Sequence, residues 1–221
     1  MRPLDPATRD LLANSLCDVG RRAVAMNLSP GASGNLSVRD GATMLMTPSG
    51  VGLGELSPAR LAALDARSGE PAKQQPGVRP SKEVPLHTAL YRRFPEAAAV
   101  VHLHSPQAVA YACKQPWSSV SAIPPLTPYL VMRVGRVPLA PYGTPGTDRL
   151  AASLDEVPGQ FRAVLLAHHG LLAWGTTLDG ALDAAVEVEE AARTALLAGP
   201  DAQPLPTPEV TALAQQYGTT W

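Results

Sequence analysis

Two histidines stand one residue apart in VVHLHSPQAVAY (residues 100–111), inside an apolar, β-branched run that reads as a buried strand and breaks at Ser105-Pro106. Side chains alternate faces along a strand, so His102 and His104 share one face while Val101 and Leu103 fill the other. Two imidazoles on one face can grip one metal ion, and a catalytic zinc usually takes three protein ligands at about 2.0–2.2 Å, leaving a position for water or substrate. The third is sought in AVLLAHHGLLAWG (163–175), the second apolar run with histidine, where a neighbouring strand would bring His168 or His169 beside the first pair. An HxH pair alone is a weak signal, because such pairs also serve structural and surface roles. Four of the five histidines, however, fall in these two buried-looking runs, where polar groups are costly unless satisfied. The fifth, His87, follows Glu83 by one helical turn. That i, i+4 spacing also permits a shared metal, but a packing or hydrogen-bonding role suits His87 better.

A second chemistry lies in the glycine-bearing loops. SPGASGNLSVR (29–39) and TPSGVGLGE (47–55) each offer hydroxyls and backbone N–H groups beside a strand end, which suits a phosphate. Neither is a P-loop, and GVGLGE is not a dinucleotide fingerprint. RPSKEVPLH (79–87) adds Ser81 at an expected helix N-terminus, where the dipole and free N–H groups favour an anion.

These residues need elements to position them, and 221 residues with 45% hydrophobic content suffice for one domain with a sizeable core. A net charge of -1, from 18 basic and 19 acidic residues, lacks the footprint that nucleic acid or an anionic membrane requires. No stretch has the continuous apolar character of a signal peptide or membrane span, so the expectation is a soluble, cytoplasmic protein. Cys17 and Cys113 are too few for a disulfide framework and are expected as reduced core residues.

The chain then reads as alternating helix and strand. Pro6 to Met26 is an amphipathic helix on Leu11, Leu12, Leu16 and Val19, with Asp5 at its start. NLSVRDGATMLMT (35–47) is a hairpin turning at Asp40-Gly41. ELSPARLAAL (55–64) suggests a short helix and RSGEPAKQQPGVRP (67–80) a polar loop. A helix is expected over 81–94, and another from Pro106 through Cys113 with Ser105 as its cap. LVMRV (130–134) looks like a strand in a proline-rich segment, and residues 148–154 like a short helix. The longest helical pattern is 178–198, with Leu178, Leu182, Ala185 and Val186 inside and Glu187, Glu189 and Glu190 largely outside.

The order GNLSVR, TPSG, SKE, HLH and HHG resembles the class II aldolase/adducin superfamily of zinc-dependent sugar-phosphate enzymes, over nearly the whole chain. Within it, IPPLTPYLVMRVGRVPLAPY (123–142) is similar to the branch of 3-oxo-tetronate 4-phosphate decarboxylases. The resemblance implies one α/β domain over 1–221, a three-layer α/β/α sandwich around a mainly antiparallel sheet, assembled as a fourfold-symmetric homotetramer with sites between subunits. It places Zn2+ on His102, His104 and His169. Glu83, 19 residues before His102, falls on the acid/base position, which also serves as a fourth ligand when substrate is absent. Phosphate binding falls on Gly34 and Asn35, Ser49 and Gly50, and Ser81 with Lys82. Tyr129 is the candidate proton donor across a subunit boundary, with Tyr142 and Tyr217 as rivals. Relatives commonly carry asparagine where His168 stands; strand alternation lets only one of the adjacent histidines face the site, which favours His169. The implied reaction is decarboxylation of a phosphorylated 3-oxo sugar acid through a metal-bound enediolate to dihydroxyacetone phosphate. The nearest rival is a fuculose-phosphate-type aldolase. Epimerases of this kind carry aspartate at Glu83, a methylthioribulose-phosphate dehydratase shares a similar metal set, and an adducin-like interaction module would have no reason to keep Glu83 and the histidines.

Overall fold

Asp5 starts the first helix as its position suggests, its carboxylate accepting from the Thr8 N–H at 3.0 Å, with Pro6 in the first turn of α1 (Pro6–Ala25). The computed structural model describes residues 4–71 and 77–221 of the chain. Ala13, Leu16, Cys17, Val19 and Ala23 form the buried stripe of α1; Leu11, expected inside, is 67% exposed because it lies off that stripe.

The hairpin forms as β1 (Asn35–Asp40) and β2 (Thr43–Met46), turning at Gly41-Ala42. Two short 3-10 turns, Leu53–Glu55 and Pro58–Arg60, and strand β3 (Ala62–Asp65) replace the short helix expected over 55–64. Ala62 and Leu64 pair with β2 at Met46 and Met44, which draws the segment into the sheet instead. Of the polar loop expected over 67–80, residues 72–76 lie outside the described residues.

The remaining elements are α2 (Val84–Arg93), β4 (Ala99–Leu103), α3 (Pro106–Ala112), α4 (Pro128–Arg133), β5 (Leu139–Ala140), α5 (Asp148–Ala152), β6 (Ala163–Leu166), β7 (Gly170–Gly175), α6 (Leu178–Ala198) and α7 (Thr207–Tyr217). LVMRV is thus helical in α4, not a strand. Thr127-Pro128 starts the helix, and Leu130, Val131 and Val134 are buried at helical spacing, with α4 packed on α6 and α7. The seven strands form one sheet in the order β3-β2-β1-β4-β7-β6-β5, antiparallel except for the β5–β6 pair.

Alternation along the strands divides the interior in two. Leu36, Val38, Val101, Leu103, Leu171 and Ala173 share a core with Leu16 of α1, Ala108 of α3 and Leu182 of α6. Met44, Met46, Val100, Val164, Leu166 and Leu172 share the other with Leu86 and Leu90 of α2 and Leu150 of α5. All five residues of β4 are buried, as a central strand covered on both faces requires.

Two acidic residues of α6 expected outside are buried. Glu189 accepts from the Gln107 and Ala108 N–H groups at 3.0 and 2.8 Å, capping α3 from a distance, whereas Ser105 makes no capping bond. Glu187 lies 3.4 Å from the Arg133 guanidinium. Cys113, expected in the core, is exposed because α3 ends before it. Among the described residues no helix is long and apolar enough to cross a membrane.

Candidate metal centre

The centre is assembled where β1, β4 and β7 lie side by side, with Asn35 opposite His102 on one flank and Leu172 opposite His102 on the other. His102 is fully buried, and its Nδ1 sits 2.8 Å from the Leu171 carbonyl, an acceptor. That contact puts the ring proton on Nδ1 and leaves the Nε2 lone pair pointing inward. His104, just beyond β4, brings its Nε2 to 3.0 Å from that of His102.

His169 arrives by a different route from the one strand alternation suggests. Residues 167–169 form a turn between β6 and β7, with His168 in the left-handed region at φ 56°. The turn sends His169 into the centre and leaves His168 exposed, its ring 6.5 Å from that of Tyr142. Two glycines allow the close approach. A Cβ at Gly170 would meet the Leu103 carbonyl oxygen at 2.5 Å, and one at Gly34, where φ is +78°, would meet the His102 carbonyl oxygen at 2.8 Å. The three imidazole centroids end 4.8 to 4.9 Å apart.

Glu83 enters from the start of α2 and is 6% exposed. Its Oε2 accepts from Asn35 Nδ2 at 2.7 Å and lies 3.1 Å from His102 Nε2, while Oε1 lies 3.4 Å from His169 Nε2. Burial alone would raise this carboxyl, but His102, Asn35 and His169 outweigh it and hold Glu83 well below the usual carboxylate range. Burial foremost, then the neighbouring histidines, pulls His104 and His169 each down to about 4. Above that range both rings are neutral and can offer a lone pair.

One ligand atom from each of Glu83, His102, His104 and His169 lies within 4.8 Å of the other three. Inward-facing lone pairs at 3.0 to 3.4 Å repel one another unless a cation lies between them. Ligands about 2.1 Å from one ion sit about 3.4 Å apart on a tetrahedron, so the spacing fits a divalent metal. Glu83 Oε1 is buried without a hydrogen-bond partner, as a fourth ligand atom would be. The outer contact from His102 to Leu171 is of the kind that orients a ligating ring.

A cavity of about 360 Å³ opens on Glu83, His104 and His169. Its walls hold Gly34, Asn35, Ser49, Gly50, Ser81 and Lys82, so all the loop residues singled out from the sequence line one space. Ala32, Ser33, Pro145 and Gly146 also line it; Pro145 and Gly146 carry no chemistry of their own that sequence could signal. Some of the backbone donors are already committed. Ser49 N–H donates to the Arg79 carbonyl and Ser81 N–H to that of Thr47, leaving hydroxyls and the remaining N–H groups for an anion. Both ends of the Asn35 amide are likewise taken, by Glu83 and by His87. Tyr129, Tyr142 and Tyr217 are exposed, and none of them lines the cavity.

Residues 14–196 match the family model described as the Class II Aldolase and Adducin N-terminal domain. The 3-oxo-tetronate 4-phosphate decarboxylase of Pectobacterium atrosepticum is 44% identical over 170 residues, which cover 76% of this chain and 76% of that protein. The L-fuculose phosphate aldolase of Escherichia coli K12 is 32% identical over 200 residues, covering 90% of this chain and 88% of the aldolase. The crystal structure of YgbL from Escherichia coli shares the fold with a TM-score of 0.86 and 37% identity, over 93% of this chain and 99% of that one.

Proposed function

The chain belongs to the class II aldolase and adducin N-terminal domain family, and on that premise we propose that it is a zinc-dependent lyase converting a 3-oxo-tetronate 4-phosphate to dihydroxyacetone phosphate and CO2. The observation that carries this reading is the convergence of Glu83, His102, His104 and His169 beside a cavity with hydroxyl and lysine walls. A volume of about 360 Å³ admits a four-carbon phosphate ester. Zinc held by the three histidines, with Glu83 as a fourth ligand before substrate arrives, would supply Lewis-acid polarisation of the C3 ketone.

The chain's own groups do the rest. Gly34, Ser49, Gly50, Ser81 and Lys82 hold the phosphate end, while Asn35 lies in the same wall with its amide committed to Glu83 and His87, and that binding turns the C1–C2 bond perpendicular to the ketone plane. As the bond breaks, CO2 leaves and its electron pair passes toward the C3 oxygen; Glu83 then hands a proton to C2. Glu83 is a carboxylate in the resting site, so that proton reaches it from water or a substrate hydroxyl in the cavity. Helices packed on both sheet faces would then be the outer layers of a three-layer α/β/α sandwich, read as one domain over 1–221. In a fourfold-symmetric homotetramer, Tyr129 on the exposed side of α4 would serve a neighbouring chain's site as proton donor.

The test is a coupled assay on zinc-loaded protein, offering 3-oxo-tetronate 4-phosphates generated in situ. Equimolar dihydroxyacetone phosphate and CO2, abolished by a chelator, is the expected result. Release of an aldehyde and dihydroxyacetone phosphate from a ketose 1-phosphate, with no CO2 from the oxo acid, would return the chain to the aldolases.

A further inference from the structure

A ladder of buried polar groups runs away from the metal centre between α2 and β1. Asn35 and Ser37 project from one face of β1 at i, i+2, while Glu83, His87 and Tyr91 recur at i, i+4 along the start and body of α2. Two strand residues span about 6.6 Å. Four helical residues span about 6 Å, so the two series interleave rung by rung. Asn35 Nδ2 donates to Glu83 Oε2 at 2.7 Å, and Asn35 Oδ1 lies 2.7 Å from His87 Nε2. His87 Nδ1 lies 2.7 Å from Ser37 Oγ, which lies 2.8 Å from the Tyr91 hydroxyl. Asn35 is 5% exposed, Tyr91 2%, and Ser37 and His87 not at all.

The direction of every bond follows from one end. An ionised Glu83 only accepts, so Asn35 must turn its NH2 toward it and its carbonyl toward His87. That carbonyl needs a donor, which places the His87 proton on Nε2. Nδ1 then accepts from the Ser37 hydroxyl, and Ser37 accepts from Tyr91. Each ring nitrogen of the buried His87 then has one partner, as a neutral imidazole requires: Nε2–H donates to Asn35 and Nδ1 accepts from Ser37. A reversed amide would set oxygen against carboxylate.

We propose that His87, held as its neutral Nε2–H tautomer by Ser37 and Tyr91, is a positioning residue that locks the Asn35 amide and thereby aims Glu83 at the reacting carbon. The lock occupies Oε2 and leaves Oε1, which has no hydrogen-bond partner, as the free oxygen. The effect on turnover rests on the decarboxylase reading; the tautomer does not.

Nitrogen-15 NMR of histidine-labelled protein, stripped of metal and zinc-loaded, tests the tautomer directly, with the His87→Gln spectrum assigning the signal. A protonated Nε2 and a bare Nδ1 are expected in both states; the opposite tautomer, or a charged ring, overturns the proposal. In steady-state assays, His87→Leu should lower kcat by about tenfold or more with KM and zinc content unchanged. His87→Gln, whose amide can donate to Asn35, should recover most of the loss. Parent kcat in His87→Leu, or no recovery in His87→Gln, contradicts a positioning role. A parent that releases no CO2 overturns the decarboxylase reading and leaves the NMR result to decide this one.

Discussion

In the proposed reaction Glu83 must do two things that pull against each other: stay ionised beside three imidazoles and carry a proton to carbon. On the resting side, burial raises the carboxyl but His102, the Asn35 hydrogen bond and His169 outweigh it and hold it below the usual carboxylate range. Replacing it separates the tasks. Glu83→Gln should retain zinc on the three histidines while turnover falls by about a hundredfold or more. Near-parent turnover would remove Glu83 from the acid/base role. His168 makes a second residue-scale case. Its left-handed backbone, not strand alternation, delivers His169 to the centre, and asparagine is among the residues that tolerate that conformation best. His168→Asn should therefore leave stability and zinc content as they are, whereas His168→Val should cost about 1–2 kcal/mol in chemical denaturation. Equal stability of the two variants would show that the turn carries no such constraint. The HxH pair was legible in sequence because its spacing is local, and Glu83 and His169 through the ordered motifs of the resemblance; the Asn35–His87–Ser37–Tyr91 ladder was not, because it arises only when a helix and a strand from distant segments interleave.

At the scale of elements, local signals served where the sequence itself terminates or starts a helix. Asp5-Pro6 and Thr127-Pro128 are both start signals, yet LVMRV reads as a strand because four apolar, partly β-branched residues around Arg133 fit either period. Packing against α6 and α7 decided for helix. Glu189 shows the converse failure. A glutamate on a long helix reads as solvent-facing, and nothing nearby reveals that another helix's N-terminus is its partner. Because both its oxygens accept backbone N–H groups of α3 in a buried setting, Glu189→Ala should destabilise the fold by about 1–3 kcal/mol. For a chain of this length that corresponds to a fall in Tm of about 2–4 °C per kcal/mol. An unchanged Tm would mean that Ser105 or water caps α3 equally well.

Over the whole molecule, the pattern alternated helix and strand, and the resemblance implied the α/β class with a mainly antiparallel sheet; the order β3-β2-β1-β4-β7-β6-β5 needed the structure, since strands β1, β4 and β7 that meet at the centre are far apart in sequence. That assembly also sets a global response to acid. In the metal-free protein His87 is pulled from 6.5 to about 3, and His104 and His169 to about 4, so between about 6.5 and about 4 the unfolded chain binds more protons than the folded one. Stability must then rise with pH across that window and fall on acidification, and Glu83, lowered from 4.5, adds a loss of the same sign below that value. The denaturation midpoint of metal-free protein should fall steadily from about pH 6.5 to about pH 4; a flat midpoint would contradict buried neutral histidines. The most direct measurement on the central claim is anomalous diffraction at the zinc edge from crystals of zinc-loaded protein. One peak per chain is expected, enclosed by the Nε2 atoms of His102, His104 and His169 with Glu83 beside it; no peak there, or zinc held only elsewhere, would contradict the proposed centre.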